Sequence, residues 1–207
     1  MEKLLNKAKD IKIIFFDIDD TLRVKDTGFM PASLTHIFEM LHQKGILTGI
    51  ATGRNLCGVV PEIKALHPDF FVTANGAYVI DKSDQVIYKQ SLPQKVVLDI
   101  VEWLTSSSAE YVVYGADQVV ASAWSDTMQS AIEPIYGQLP IDPDYHLTHD
   151  IYQMVTMSEH DDQLTLPEKL SESVRMVRWH EHSSDIVPLN GSKAVGVSQV
   201  LDQLGLS

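Results

Sequence analysis

The chain has 207 residues, of which 44% are apolar and 21% charged. That balance excludes disordered and collagen-like classes and fits one sizeable core with a smaller second domain. Against 28 acidic residues stand only 16 lysines and arginines, and the net charge of -12 repels nucleic acid and anionic membrane surfaces. A phosphorylated small molecule is repelled too, so a site for one needs a local cation or a metal.

Residues 1–12 alternate charge with single apolar residues and lack the apolar segment of a signal peptide. No window approaches the run of about 18 apolar residues that a membrane span requires. Cys57 is the only cysteine, so neither an internal disulfide nor a cysteine cage can form. A reducing, cytoplasmic setting is expected. Cys57 itself, among Leu56, Val59 and Val60, is expected to be a small buried filler.

The run Ile13-Ile14-Phe15-Phe16 reads as a strand covered on both faces. Asp17-Ile18-Asp19-Asp20-Thr21 follows it directly. Side chains two apart on a strand point the same way, so Asp17 and Asp19 converge on one small volume. Carboxylates that close resist joint ionisation unless a cation is shared between them. One can then serve as nucleophile and the other as general acid and base. A plain polar turn, with Asp19 and Asp20 at a bend and Thr21 bonding locally, accounts for the same residues. A calcium loop does not, because Leu22 and Gly28 stand where it needs glycine and glutamate.

Beyond Pro31, Leu34, Ile37, Phe38 and Leu41 recur at helical spacing until Lys44-Gly45. Residues 46–51 form a second apolar strand ending at Thr52-Gly53-Arg54, and Leu56, Val59, Val60, Ile63 and Leu66 form a helical pattern that Pro61 kinks or starts. Residues 70–73 make a third strand ending at Asn75-Gly76. Alternation of strand and helix predicts a parallel sheet with helices on its faces. Thr52 and the Gly53 amide stand at a strand end where they can donate to phosphate oxygens, or Thr52 can simply cap the following helix. Gly53 to Gly58 imitates half a phosphate loop, but Val59 replaces its lysine.

From Tyr78 the texture becomes hairpin-rich. Residues 78–80 and 86–89 pair across Asp81-Lys82-Ser83-Asp84, a helix follows Pro93, and strands are expected near 111–114, 118–121, 152–157, 174–179 and 186–187. Helical patterns fall at 128–136 and 164–170. This order predicts an inserted α+β module over residues 81–185, with 1–80 and 186–207 forming the core. Such an insertion overhangs the carboxyl ends of the strands, where open α/β sheets bind ligands. Tyr114, Trp124 and Tyr152 belong to its core or to its inner surface. His180 and His182 share a strand face, but no third metal ligand has a fixed spacing. In the last helix, Lys193 stands in the first turn, unfavourable for a cation unless an anion sits before it.

Asp17-x-Asp19-x-Thr21, Thr52-Gly53-Arg54, Asn75-Gly76 and Lys193, in that order and with that insertion, resemble the haloacid dehalogenase-like phosphatases of the Cof type, over essentially the whole chain. The resemblance implies a three-layer α/β/α Rossmann-like core carrying an α+β cap. It implies Asp17 as the nucleophile that takes up phosphorus, Asp19 as acid and base, and Thr52, Gly53, Asn75 and Lys193 as ligands of the substrate phosphate. A Mg2+ ion is implied at Asp17 and Asp19, the latter through its main-chain carbonyl, with a small phosphorylated metabolite as substrate. The family pattern continues with a strand ending in Gly-Asp-Gly-x-Asn-Asp, whereas this sequence ends at Leu206-Ser207. The expectation is therefore an incomplete core with weak magnesium binding and slow turnover, and an exposed first strand that invites self-association, or else that the 207 residues are part of a longer polypeptide. The rival expectation is a catalytically impaired relative that binds phosphorylated ligands or partner proteins.

Overall fold

The computed structural model describes residues 10–206. The reading of the amino-terminal segment rests mainly on residues 1–9, which lie outside the described residues. Two five-stranded sheets organise the rest.

In the first sheet, β1 (Ile13–Phe16), β2 (Leu47–Ala51) and β3 (Phe70–Thr73) run parallel, and β4 (Tyr78–Asp81) and β5 (Val86–Lys89) add antiparallel, in the order β1-β2-β3-β4-β5. Alternate strand residues face opposite ways. Phe71 and Ile80 therefore join Ile18, Ile50 and Ile63 under α1 (Ser33–Gln43) and α2 (Pro61–Lys64), while Phe70, Val72 and Val79 meet Val200 of α7 (Lys193–Leu204). The three-layer α/β/α core follows from that division. Phe38 anchors α1, its ring centroid 5.1 Å from that of Phe16, and burying such a side chain contributes about 1.5–3 kcal/mol. Gly45, with φ 68°, ends α1 in the left-handed conformation.

The second sheet is antiparallel throughout, with β6 (Glu110–Tyr114), β7 (Val119–Ala121), β8 (Gln153–Met157), β9 (Val174–His180) and β10 (Ser183–Pro188) in the order β7-β6-β8-β10-β9. Val97, Ile100 and Leu104 of α3 (Gln94–Ser106) cover one face with Tyr111, Val113 and Met154. Met128 and Ala131 of α4 (Asp126–Ala131) cover the other with Val112, Tyr114 and Val155.

Several expected boundaries shift. β5 pairs with β4 in the first sheet, beyond the expected break at residue 81, and β10 runs to Pro188 in the second sheet, beyond the expected return at 186. Main-chain pairing decides sheet membership, and composition does not reveal it. The helical pattern at 128–136 is split into α4 and α5 (Glu133–Tyr136), because Pro134 in the first turn of α5 has no N–H to continue the ladder. Pro61 likewise starts α2, leaving only a 3-10 turn at Leu56–Gly58. Of the pattern at 164–170, α6 (Glu168–Ser171) forms after Pro167. Cys57 is exposed rather than a buried filler: Asn55 Oδ1 accepts from its backbone N–H and turns its side chain outward, while Gly58 and Val59 face inward.

Candidate active site

Ile18, fully buried, fixes the chain just past β1 and leaves Asp17 and Asp19 on either side of it. Asp17 Oδ1 accepts from the Ile18 N–H at 2.8 Å, and Oδ2 accepts from Lys193 Nζ at 2.5 Å. The cation expected to be ill-placed in the first turn of α7 thus has a carboxylate before it. Ser192 caps that helix, accepting from the Val195 N–H at 3.2 Å.

Both oxygens of Asp19 are held by Arg54, at 2.9 Å from Nε and 2.7 Å from one terminal nitrogen, while the other donates to the Gly58 carbonyl at 2.9 Å. This planar fork is a geometry that lysine cannot reproduce. Burial opposes the Arg54 charge, but its hydrogen bonds and proximity to Asp19 outweigh that and hold its pKa above the ordinary arginine value.

The phosphate-loop residues occupy the end of β2. Thr52 is fully buried, and its hydroxyl accepts from the Arg54 N–H at 3.1 Å. It therefore caps its own turn rather than a helix, and keeps its proton to donate. Asn75 and Gly76 lie in the connection between β3 and β4, with φ of 53° and 95°. Gly76 is required there: a Cβ would stand 2.1 Å from the Ser192 carbonyl oxygen. The Asn75 amide donates to Gln153 Oε1 at 3.0 Å and to Asp185 Oδ2 at 2.9 Å, both in the second sheet.

Asp17, Asp19, Gly53 and Lys193 line one cavity of about 180 Å³; Thr52 and Asn75 are not among its lining residues. The second module contributes Tyr114, Tyr136, Trp179 and Asp185 to that cavity, and Lys25 and Arg54 complete the charged wall. Tyr136 Oη accepts from the Asn55 N–H and donates to Tyr114 Oη, each at 3.0 Å, and burial pushes both phenols well above their ordinary pKa. Burial also raises the Asp185 carboxyl from 3.8 to about 7, against the opposing pull of its hydrogen bond to Asn75 and of Lys193 and Lys25. Lys25 Nζ lies 4.8 Å over the Trp179 ring. A larger open groove of about 880 Å³, beside Trp103, Glu110, Asp126 and His160, shares no residue with this site.

Of the aromatic candidates only Tyr114 reaches the cavity, since Trp124 and Tyr152 pack in the core of the second module. Roles for Arg54, Lys25, Tyr136, Trp179 and Asp185 were not legible in the sequence, although Arg54 belongs to the Thr52-Gly53-Arg54 motif.

Magnesium takes one or two carboxylates and completes its shell with substrate phosphate and water. Asp17 and the Asp19 main-chain carbonyl suit that demand. The Asp19 carboxylate does not, while Arg54 occupies both of its oxygens. Among the described residues no group of three or more His, Cys, Asp or Glu side chains gathers to hold a metal, His180 and His182 included.

A core of this topology, delivering paired aspartates to a cation-lined cavity, defines a class that the sequence comparisons identify. The family described as haloacid dehalogenase-like hydrolase matches residues 14–207, and the chain belongs to it. A Streptococcus pyogenes serotype M6 protein, provisionally named a bifunctional phosphatase/peptidyl-prolyl cis-trans isomerase, is 48% identical over 99% of this chain and 43% of its own. Bacillus subtilis strain 168 has a protein provisionally named phosphatase YkrA, 29% identical over 94% of this chain and 75% of its own. The chain thus spans less than half of the first relative and three quarters of the second. A solved structure of a hypothetical protein from Geobacillus kaustophilus HTA426 superposes with a TM-score of 0.84 at 31% identity, covering 95% of this chain and 77% of that one.

Proposed function

We propose that the protein is a magnesium-dependent phosphomonoester hydrolase that acts on a small phosphorylated metabolite of the cytoplasm through an aspartyl-phosphate at Asp17. The contact between Asp17 Oδ2 and Lys193 Nζ carries the reading, because it sets a nucleophilic oxygen and a phosphate-neutralising cation at one point of the cavity wall. Asp17 attacks phosphorus, and the ester oxygen departs with a proton from Asp19. Asp19 then takes a proton from water, which attacks the acyl phosphate and returns Asp17 and inorganic phosphate. The Gly53 amide and Lys193 face the phosphate oxygens, the buried Thr52 hydroxyl shapes the loop beneath them by accepting from the Arg54 N–H, and the second module acts as the lid that admits the substrate. Magnesium, held by Asp17 and the Asp19 carbonyl, would neutralise charge on the transferring group.

One observation favours a second reading. The acid role requires Asp19 to release an oxygen from the Arg54 fork, and a chain that never releases it would bind phosphorylated ligands without turning them over. Phosphate release from an aryl phosphate with magnesium, measured beside Asp17→Asn, separates the two. Release abolished by the substitution supports the hydrolase. No release above the folded variant supports the binding protein.

A further inference from the structure

We propose that Asp185 is a positioning residue: through Asn75 it seats the second module on the phosphate loop, and protonation of its carboxyl tightens that seat. As a role in catalysis this rests on the hydrolase reading; as a contact between modules it does not.

The geometry is specific. Both amide hydrogens of Asn75 are committed to the second sheet, one to Gln153 on β8 and one to Asp185 on β10. The other end of the same amide lies against the loop, since a Cβ on Gly53 would stand 3.2 Å from Asn75 Oδ1. Asn75 is itself fixed by its left-handed backbone and by its N–H bond to the Thr52 carbonyl at 3.1 Å. One side chain therefore joins the strand end that cradles phosphate to two neighbouring strands above it. The family resemblance assigns Asn75 to substrate. In this arrangement its donors are already engaged, and its contribution is to hold Gly53 and the second module in register.

Asp185 is the ionisable member of the bridge. It faces Lys193 from α7, Lys25 from the segment after β1, and Tyr114 from β6, and it shares the cavity with Asp17, Asp19, Arg54 and Tyr136. Lifting the module would return the carboxyl to water. A carboxyl whose pKa is raised when seated, here to about 7 from 3.8, binds its proton more tightly in the seated state. Seating is thus favoured at low pH, weakens as pH rises between those values, and levels off above them.

The Asn55 amide reports on this directly, because its partner is Tyr136 Oη in the other module. Hydrogen exchange of that amide, divided by its intrinsic rate, measures the opening equilibrium without any catalysis. In the wild-type chain it is expected to rise between pH 5 and 7 by up to about tenfold per pH unit, the limit for one linked proton. Asp185→Asn, which keeps the shape and cannot titrate, is expected to give a flat profile. Asn75→Ala is expected to raise opening at every pH, since it cuts the bridge and leaves Asp185 intact. A flat wild-type profile, a rise shared by Asp185→Asn, or opening unchanged by Asn75→Ala would each overturn the proposal. If Asp17→Asn shows no effect on phosphate release while these exchange results hold, the hydrolase reading fails and the seating contact stands.

Discussion

Arg54→Met removes the fork that holds Asp19. The guanidinium makes three hydrogen bonds with its side chain only 4% exposed, so the substitution leaves Asp19 and the Gly58 carbonyl without their partner. Breaking a fully buried ion pair by deleting one member costs about 3–5 kcal/mol. Asp19 is 29% exposed, so water recovers part of the loss, and the expected cost is about 2–4 kcal/mol. For a chain of this size that corresponds to a fall in Tm of roughly 4–16 °C. Urea unfolding gives the free energy, and thermal scans with two optical probes check that the transition is two-state. Arg54→Lys is expected to recover less than half, because one ammonium cannot meet two carboxylate oxygens and a carbonyl in one plane. Arg54→Met melting within about 2 °C of wild type would refute the claim that the fork holds the site together.

Three further outcomes are expected. Gly76→Ala places a Cβ against the Ser192 carbonyl at positive φ, and is expected to cost about 2–5 kcal/mol by denaturant unfolding, with Lys193 displaced from Asp17. The raised Asp185 carboxyl means that the folded chain holds a proton the unfolded chain has lost between pH 3.8 and about 7. Stability should therefore fall with rising pH across that window, by on the order of 4 kcal/mol in total relative to Asp185→Asn, and the difference should stay level above it. A difference between the two chains that is flat from pH 4 to 7 would contradict this. Lastly, β1 is an edge of the first sheet among the described residues, and the 207 residues expressed alone offer that edge to another strand. Sedimentation should show mass rising with concentration; a strict monomer at high concentration argues against it.

The parallel strands were legible because Ile13 to Phe16, Leu47 to Ala51 and Phe70 to Thr73 are short apolar runs, each followed by polar or turn residues. Local chemistry also pointed to Asp17 and Asp19, and the family resemblance to Lys193; the three line one cavity. What stayed hidden depends on contacts across distance. The Arg54 partner lies 35 positions away, and Asp185 meets Asn75 across 110, separations that no periodicity encodes. Cys57 departs from its expected burial for a related reason: apolar neighbours suggest burial, yet its backbone N–H is held by Asn55 and its side chain is exposed. Prolines 61, 134 and 167 cut helical patterns shorter than their apolar spacing suggested, because a missing N–H outweighs periodicity.

Lys193 and Asp17 are joined across 176 positions. On the ribosome, which releases the chain from its amino end, the acidic loop emerges long before the lysine that neutralises it. The antiparallel module, with nearer partners, can collapse in the interval, because closing shorter loops sacrifices less chain entropy. Nascent polypeptides therefore carry a half-built centre until α7 leaves the exit tunnel. Assembly of the cavity is thereby tied to the emergence of α7 and not to that of the acidic loop.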